Sequence, residues 1–259
     1  MANFTYDGVH GVSRREFVRT SLGLVATPML VGCRSPTSPP LARLTARPGV
    51  PTVAPTRGLT SLGLGTDRDG LLYVPDSYDP GTPAPLFVAL HGAGGSAQAW
   101  PSYYARAESR RMIFMAPSSR ASTWDLIRGE LGPDVSFIDK ALAHTFARCR
   151  IDPAHVCLGG FSDGASYALA LGLGNGDLFS HLVSYSAGFL AEPEKPVGKP
   201  HVFLSHGTAD PILPVRTSRD VIAPQLRSEG YDVTYKEFEG VHQVPSDISD
   251  AALDWFLAR

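Results

Sequence analysis

Strand-like and helix-like stretches take turns along this chain from about residue 60 onward. "PLFVALHG" (85–92) is an almost unbroken apolar run, as expected of a strand covered on both faces. "LLYVP" (71–75), "RMIFMAP" (111–117), "HVCLGGF" (155–161), "HLVSYSAG" (181–188) and "HVFLSHGTAD" (201–210) also read as strands, and "DVTYKEFEG" (232–240) alternates as a strand should. Between them the period lengthens. In "DVSFIDKALAHTFAR" (134–148) the apolar residues Val135, Ile138, Leu142 and Phe146 fall on one helical face. "SDGASYALALGLG" (162–174) reads as a helix. So does "TSRDVIAPQLRSEG" (217–230), with an internal proline and Gly230 as its C-cap. "SDISDAALDWFLAR" (246–259) closes the chain as an amphipathic helix.

Strands separated by helices need crossover connections. The pattern therefore predicts an α/β class with a mainly parallel sheet and helices on both faces. In such sheets ligands bind at the carboxyl ends of the strands. That directs attention to His91-Gly92, Ser162, Ala209-Asp210 and the loop around His242.

The first 33 residues follow a different rule. "SRREFVRTSLGLVATPMLVGC" starts with Arg14 and Arg15 and runs into a short apolar segment, too short for an ordinary membrane span. The pair of arginines followed by Phe17 resembles a twin-arginine export signal, and "LVGC" resembles a bacterial lipobox ending at Cys33. An exported protein, periplasmic or held at the cell envelope by a lipid on Cys33, is the expectation. After it, "RSPTSPPLARLTARPGVPTVAPTRG" has six prolines among small and polar residues. Residues 34–60 are accordingly expected to be an extended, unpacked tether, and 61–259 the folded domain.

Two other cysteines, Cys149 and Cys157, lie in "CRIDPAHVC". In an exported protein the pair suits a disulfide; two buried free thiols suit the same sequence. The composition is ordinary for a globular domain, 43% hydrophobic and 19% charged, with a formal charge of −2. This balance gives no reason to expect a nucleic-acid partner, and the membrane enters only through the N-terminal lipid anchor. No cofactor or metal is implied: there is no H-E-x-x-H, no zinc-like cysteine spacing, no phosphate loop and no dinucleotide fingerprint.

The most informative stretch is "GGFSDGASYALALG" (159–172). A strand ends near Phe161 and a helix begins after Ser162. A turn this sharp strains the serine backbone and pushes its hydroxyl outward. A side chain at Gly160 or Gly164 would collide with the neighbouring element. This is G-x-S-x-G, the nucleophile elbow. A glycine-rich turn with serine as a simple N-cap is the plainer alternative.

A serine hydroxyl needs a base, and the base needs an orienting acid. In the order expected for an elbow, the acid follows the serine and the histidine comes last. Asp210, just beyond a strand in "HGTAD", and His242, in "EGVHQVP", fill those places. His206 lies inside its strand and reads as a hydrogen-bonding residue rather than a base. "HGAGGS" (91–96) follows a buried strand and can aim backbone N–H groups at an oxyanion. The expected donors are the amides of Ala93 and Asp163, with the Asp163 carboxylate turned away from the site.

"HGAGG", "GFSDG", "HGTAD" and "GVH" together resemble the α/β-hydrolase superfamily over about residues 66–259. "GFSDGASYAL" and "GPDVSFIDKAL" look like its phospholipase/carboxylesterase group and the related polyhydroxybutyrate-depolymerase and feruloyl-esterase-like proteins. The resemblance implies a serine triad of Ser162, Asp210 and His242, an oxyanion amide at Ala93, and a small-molecule ester substrate. Asp163 departs from the Gln, Met or Ala that such proteins often carry after the nucleophile. A peptidase, an acyltransferase or a non-catalytic surface-binding lipoprotein are the other readings of the same scaffold. Little sequence is left for a lid, so small to medium acyl groups are expected. Trp124, in the long segment 118–133, is a candidate pocket wall and equally a surface-loop tryptophan packed on the body; Trp100 and Phe189 are further candidate walls, residues more often core than contact.

Overall fold

The computed structural model describes residues 43–65, 67–129, 132–193 and 195–258. The expected export signal with Cys33, and residues 34–42 of the expected tether, lie outside the described residues.

Among the described residues eight strands form one sheet: β1 (Gly58–Ser61), β2 (Gly70–Val74), β3 (Ala84–Leu90), β4 (Ile113–Pro117), β5 (Ile151–Phe161), β6 (His181–Tyr185), β7 (His201–Gly207) and β8 (Val233–Phe238). Their spatial order is β1-β2-β4-β3-β5-β6-β7-β8. β1 and β2 are antiparallel to their neighbours, and every later pairing is parallel. The helices are α1 (Pro101–Ser109), α2 (Pro133–Phe146), α3 (Asp163–Leu173), α4 (Ala223–Ser228) and α5 (Ser246–Leu257).

Side chains alternate across β3. Leu86, Val88 and Leu90 point to the layer that also holds Ile138, Leu142, Leu169 and Leu226, from α2, α3 and α4. Phe87 and Ala89 point to the other layer, with Tyr103 and Ala107 of α1 and Leu253 and Phe256 of α5. A strand covered twice must be apolar at every position, which is why 85–90 lacks alternation.

Three expectations change here. Residues 43–60 are not an unpacked tether. Leu44 is buried in the core, and its N–H donates to Asn175 Oδ1 at 2.9 Å. Thr45 and Ala46 donate their N–H groups to Asp139, Arg43 and Arg47 both pair with Asp177, and Gly58–Ser61 is the edge strand β1. Prolines remove N–H donors, so this segment is fastened by the donors that remain. Second, Cys149 and Cys157 are free and buried, with no disulfide between them. They belong to opposite faces of the sheet, Cys149 with the α2 layer and Cys157 with the α1–α5 layer. Third, the helix expected over 217–230 starts as a wide π turn, Thr217–Ile222, before becoming α4. Pro224 has no N–H to give the carbonyl four residues back, and the N–H of Ala223 bonds Ser218 O across five residues instead.

Candidate active site

The carboxyl ends of β3, β5, β7 and β8 carry the motifs singled out above, all on one rim of the sheet. At the end of β5, Ser162 has φ 57° and ψ −119°, a left-handed backbone unusual for a residue with a side chain. The turn is held from behind, where the Ser162 N–H donates to Tyr185 O at 2.9 Å. Neither elbow glycine has room for a side chain: a Cβ on Gly160 would overlap the Gly164 backbone, and one on Gly164 would overlap the Leu90 carbonyl. Gly92 comes close as well, since a Cβ there would lie 3.3 Å from Ser162 Cβ.

Asp210 and His242 meet. His242 Nδ1 is 2.6 Å from Asp210 Oδ2. A carboxylate only accepts, so Nδ1 carries the proton and the lone pair of a neutral ring lies on Nε2. The imidazole packs on the ring of Phe161, the residue before Ser162, at 4.6 Å between centroids. Asp210 Oδ1 accepts the N–H groups of Ile212 and Leu213, each at 2.9 Å. Burial pushes the Asp210 pKa up, but the Leu213 N–H, the His242 ring and the Ile212 N–H outweigh it and leave the pKa below the usual value.

The turn after β3 is fastened through His91, which is fully buried. Its Nε2 accepts the N–H of Ser119 at 3.0 Å, so the ring proton is on Nδ1, which donates to Gly92 O at 2.7 Å. Desolvation, the largest influence, lowers the pKa of His91 and keeps this tautomer neutral. Arg68 braces the same turn, donating to Gly95 O at 2.6 Å and to Ser119 Oγ at 3.3 Å. Ala93 is exposed on this turn. Asp163 is the first residue of α3, and its carboxylate accepts a hydrogen bond from Thr123 Oγ1 at 2.6 Å.

The candidate walls separate into three cases. Trp124 is not a wall: it is fully buried, donates Nε1–H to His91 O at 2.8 Å, and lies against Tyr167 with ring centroids 5.1 Å apart. Trp100 is 5% exposed and lines a cavity of about 240 Å³ with His91, Gly92, Tyr103, Phe161 and Val244. Through Gly92 and Phe161 that cavity adjoins Ser162. Phe189 is 38% exposed and does not line it. Among the described residues no cluster of three or more His, Cys, Asp or Glu is placed to hold a metal.

Residues 132–254 match the phospholipase/carboxylesterase family model. A crystal structure of the esterase PE8 superposes with a TM-score of 0.59 at 25% identity, over 70% of this chain and 95% of that one. The protein has the α/β-hydrolase fold. A ferulic acid esterase of Anaeromyces mucronatus, solved with ferulic acid, shares the fold with a TM-score of 0.58 at 18% identity, over 82% of this chain and 92% of that one. Feruloyl esterase C of Emericella nidulans is 32% identical over 158 residues, which is 57% of this chain and 57% of that protein. The chain thus spans little more than half the length of that curated relative.

Within this α/β-hydrolase fold, the rim was legible in the sequence and the supports around it were not. Arg68, Ser119 and Thr123 carry no motif; only folding brings them to His91 and Asp163. His91 was legible as part of "HGAGG", but its role as a buried tie between two loops was not.

Proposed function

We propose that this protein is a serine hydrolase of carboxylic esters. The observation that carries the reading is the Asp210–His242 hydrogen bond, with the imidazole lying on Phe161, one residue from the strained Ser162. Ser162 Oγ attacks the ester carbonyl while its proton passes to His242 Nε2. The new C–O bond turns the carbonyl oxygen into an oxyanion, which the amides of Ala93 and Asp163 stabilise. Each such donor contributes about 3 kcal/mol to the transition state. Collapse expels the alcohol, which takes the proton from Nε2. Water then adds to the acyl-enzyme with the same base, and its collapse releases the acid and restores Ser162.

The hydrogen bond from Thr123 supports the Asp163 assignment, because it occupies the carboxylate and leaves the backbone amide for the oxyanion. The cavity of about 240 Å³ beside Gly92 and Phe161 suits small to medium acyl groups, including a single aromatic ring. The similarity to feruloyl esterase C supports placing feruloyl esters in that range. The N-terminal pattern around Arg14, Arg15 and Cys33 supports export and lipid anchoring of the enzyme at the cell envelope.

A series of p-nitrophenyl esters from acetate to decanoate, run beside methyl ferulate, tests this reading. Hydrolysis of the short members and of methyl ferulate is expected, with a fall at long chains. A folded protein that cleaves none of them overturns it.

A further inference from the structure

A second histidine touches the same carboxylate. His206, near the end of β7, is fully buried, and so is the side chain of Asp210. His206 Nε2 lies 3.3 Å from Asp210 Oδ2, the oxygen that binds His242, and 2.8 Å from Leu213 O. Leu213 O can only accept, so Nε2 carries a proton and donates it to that carbonyl, while Asp210 Oδ2 lies in contact beside the same ring. On its other side, Nδ1 is 2.7 Å from Ser218 Oγ, which is itself buried on the π turn. The ring is therefore held at both nitrogens, and it ties the end of β7 to the turn at 213 and the helix at 218.

Asp210 Oδ1 is already held by two backbone N–H groups. Without another contact, Oδ2 would answer to His242 alone, and the carboxylate could pivot about Oδ1. We propose that His206 is a positioning residue for catalysis: its ring lies against Asp210 Oδ2 and holds the carbonyl of Leu213, whose own N–H grips Oδ1, so that the carboxylate plane faces His242 Nδ1. The proposal rests on the triad reading given under Proposed function. His206 touches neither substrate nor reacting atoms, and it acts only through Asp210.

This makes a claim that a packing role for the histidine does not. A packing role would alter stability and substrate affinity whatever stands at residue 210. A positioning role must vanish once the carboxylate is gone, because groups that act as a unit are not additive.

The test is a double-mutant cycle in the full chain, with kcat and KM measured on p-nitrophenyl acetate. His206→Phe is expected to lower kcat between about 10- and 100-fold, the range for a slightly misplaced catalytic group, with KM nearly unchanged. His206→Gln places an amide N–H near the position of Nε2 and should recover most of that loss, whereas His206→Asn reaches only toward Ser218 and should not. In an Asp210→Asn background, His206→Phe should change kcat by less than about twofold. The low-field proton resonance of the His242–Asp210 bond should broaden or shift in His206→Phe and return in His206→Gln. If His206→Phe does not fold, Ser218→Ala serves in its place. It frees Nδ1 without emptying the core, and should give a smaller fall in kcat that is again absent beside Asp210→Asn.

Full additivity of the two substitutions, or a loss confined to KM, overturns the positioning role while leaving the triad standing. An Asp210→Asn enzyme with wild-type kcat overturns the triad reading itself, and the role of His206 falls with it.

Discussion

The imidazole of His242 and the carboxylate of Asp210 stand 2.6 Å apart although 32 residues separate them in the chain. The bond selects the ring tautomer, since the proton held on Nδ1 is what leaves Nε2 able to accept one. Asp210→Asn presents either an amide N–H or a weaker acceptor to Nδ1 and favours the wrong tautomer. The expected loss in kcat is about 10⁴-fold, with the fold intact. Steady-state hydrolysis of p-nitrophenyl acetate, with circular dichroism as the control for folding, checks it.

The same carboxylate links stability to pH. Its folded pKa is depressed, so Asp210 binds its proton less readily in the native state than in the unfolded chain. Its contribution to stability is complete above the unfolded carboxylate pKa of about 3.9 and is lost as pH falls through the lower folded value. Wild type should exceed Asp210→Asn in urea midpoint at neutral pH. The difference should shrink as the pH is lowered below about 4. A gap that stays constant from neutral to acid pH would contradict the role given to the Leu213, His242 and Ile212 donors.

Ser162 is held at positive φ, a conformation that carries a cost in stability. Glycine adopts it freely. Ser162→Gly should therefore be inactive and more stable than wild type by about 1 kcal/mol, whereas Ser162→Ala should be inactive with no such gain. Chemical denaturation of the three proteins compares them directly.

Trp124 anchors the turn after β3 through its bond to His91 O. Trp124→Phe leaves that buried carbonyl without its donor, at a cost of about 1–3 kcal/mol. Because Trp124 lies in the core and does not line the cavity of Trp100, Gly92 and Phe161, the order of preference among acyl chain lengths should not change. Unfolding midpoints and the ester series measure the two effects separately.

Much of this architecture was legible because each reason was local. The apolar runs mark doubly covered strands, and Gly160 and Gly164 mark a turn with no room for side chains. Asp210 and His242 follow from strand ends and chain order. What escaped the sequence depends on tertiary partners. "PSYYARAES" (101–109) buries only Tyr103 and Ala107, too few positions to announce the helix α1. The proline-rich segment reads as a tether because its attachment relies on Asp139, Asn175 and Asp177, far away in the chain. Cys149 and Cys157 sit close enough in sequence to suggest a bond, yet the sheet lies between them. His206 reads as a strand-end residue until Asp210 is folded back against it.

The central claim is that Ser162 is a nucleophile activated by His242, and the most direct measurement is covalent labelling by a fluorophosphonate probe, with the modified residue located by peptide mass spectrometry. One adduct per chain on the peptide carrying Ser162 is expected, absent in Ser162→Ala and strongly slowed in His242→Ala. A folded wild-type protein that takes up no probe, or a Ser162→Ala variant that labels as well as wild type, would contradict it.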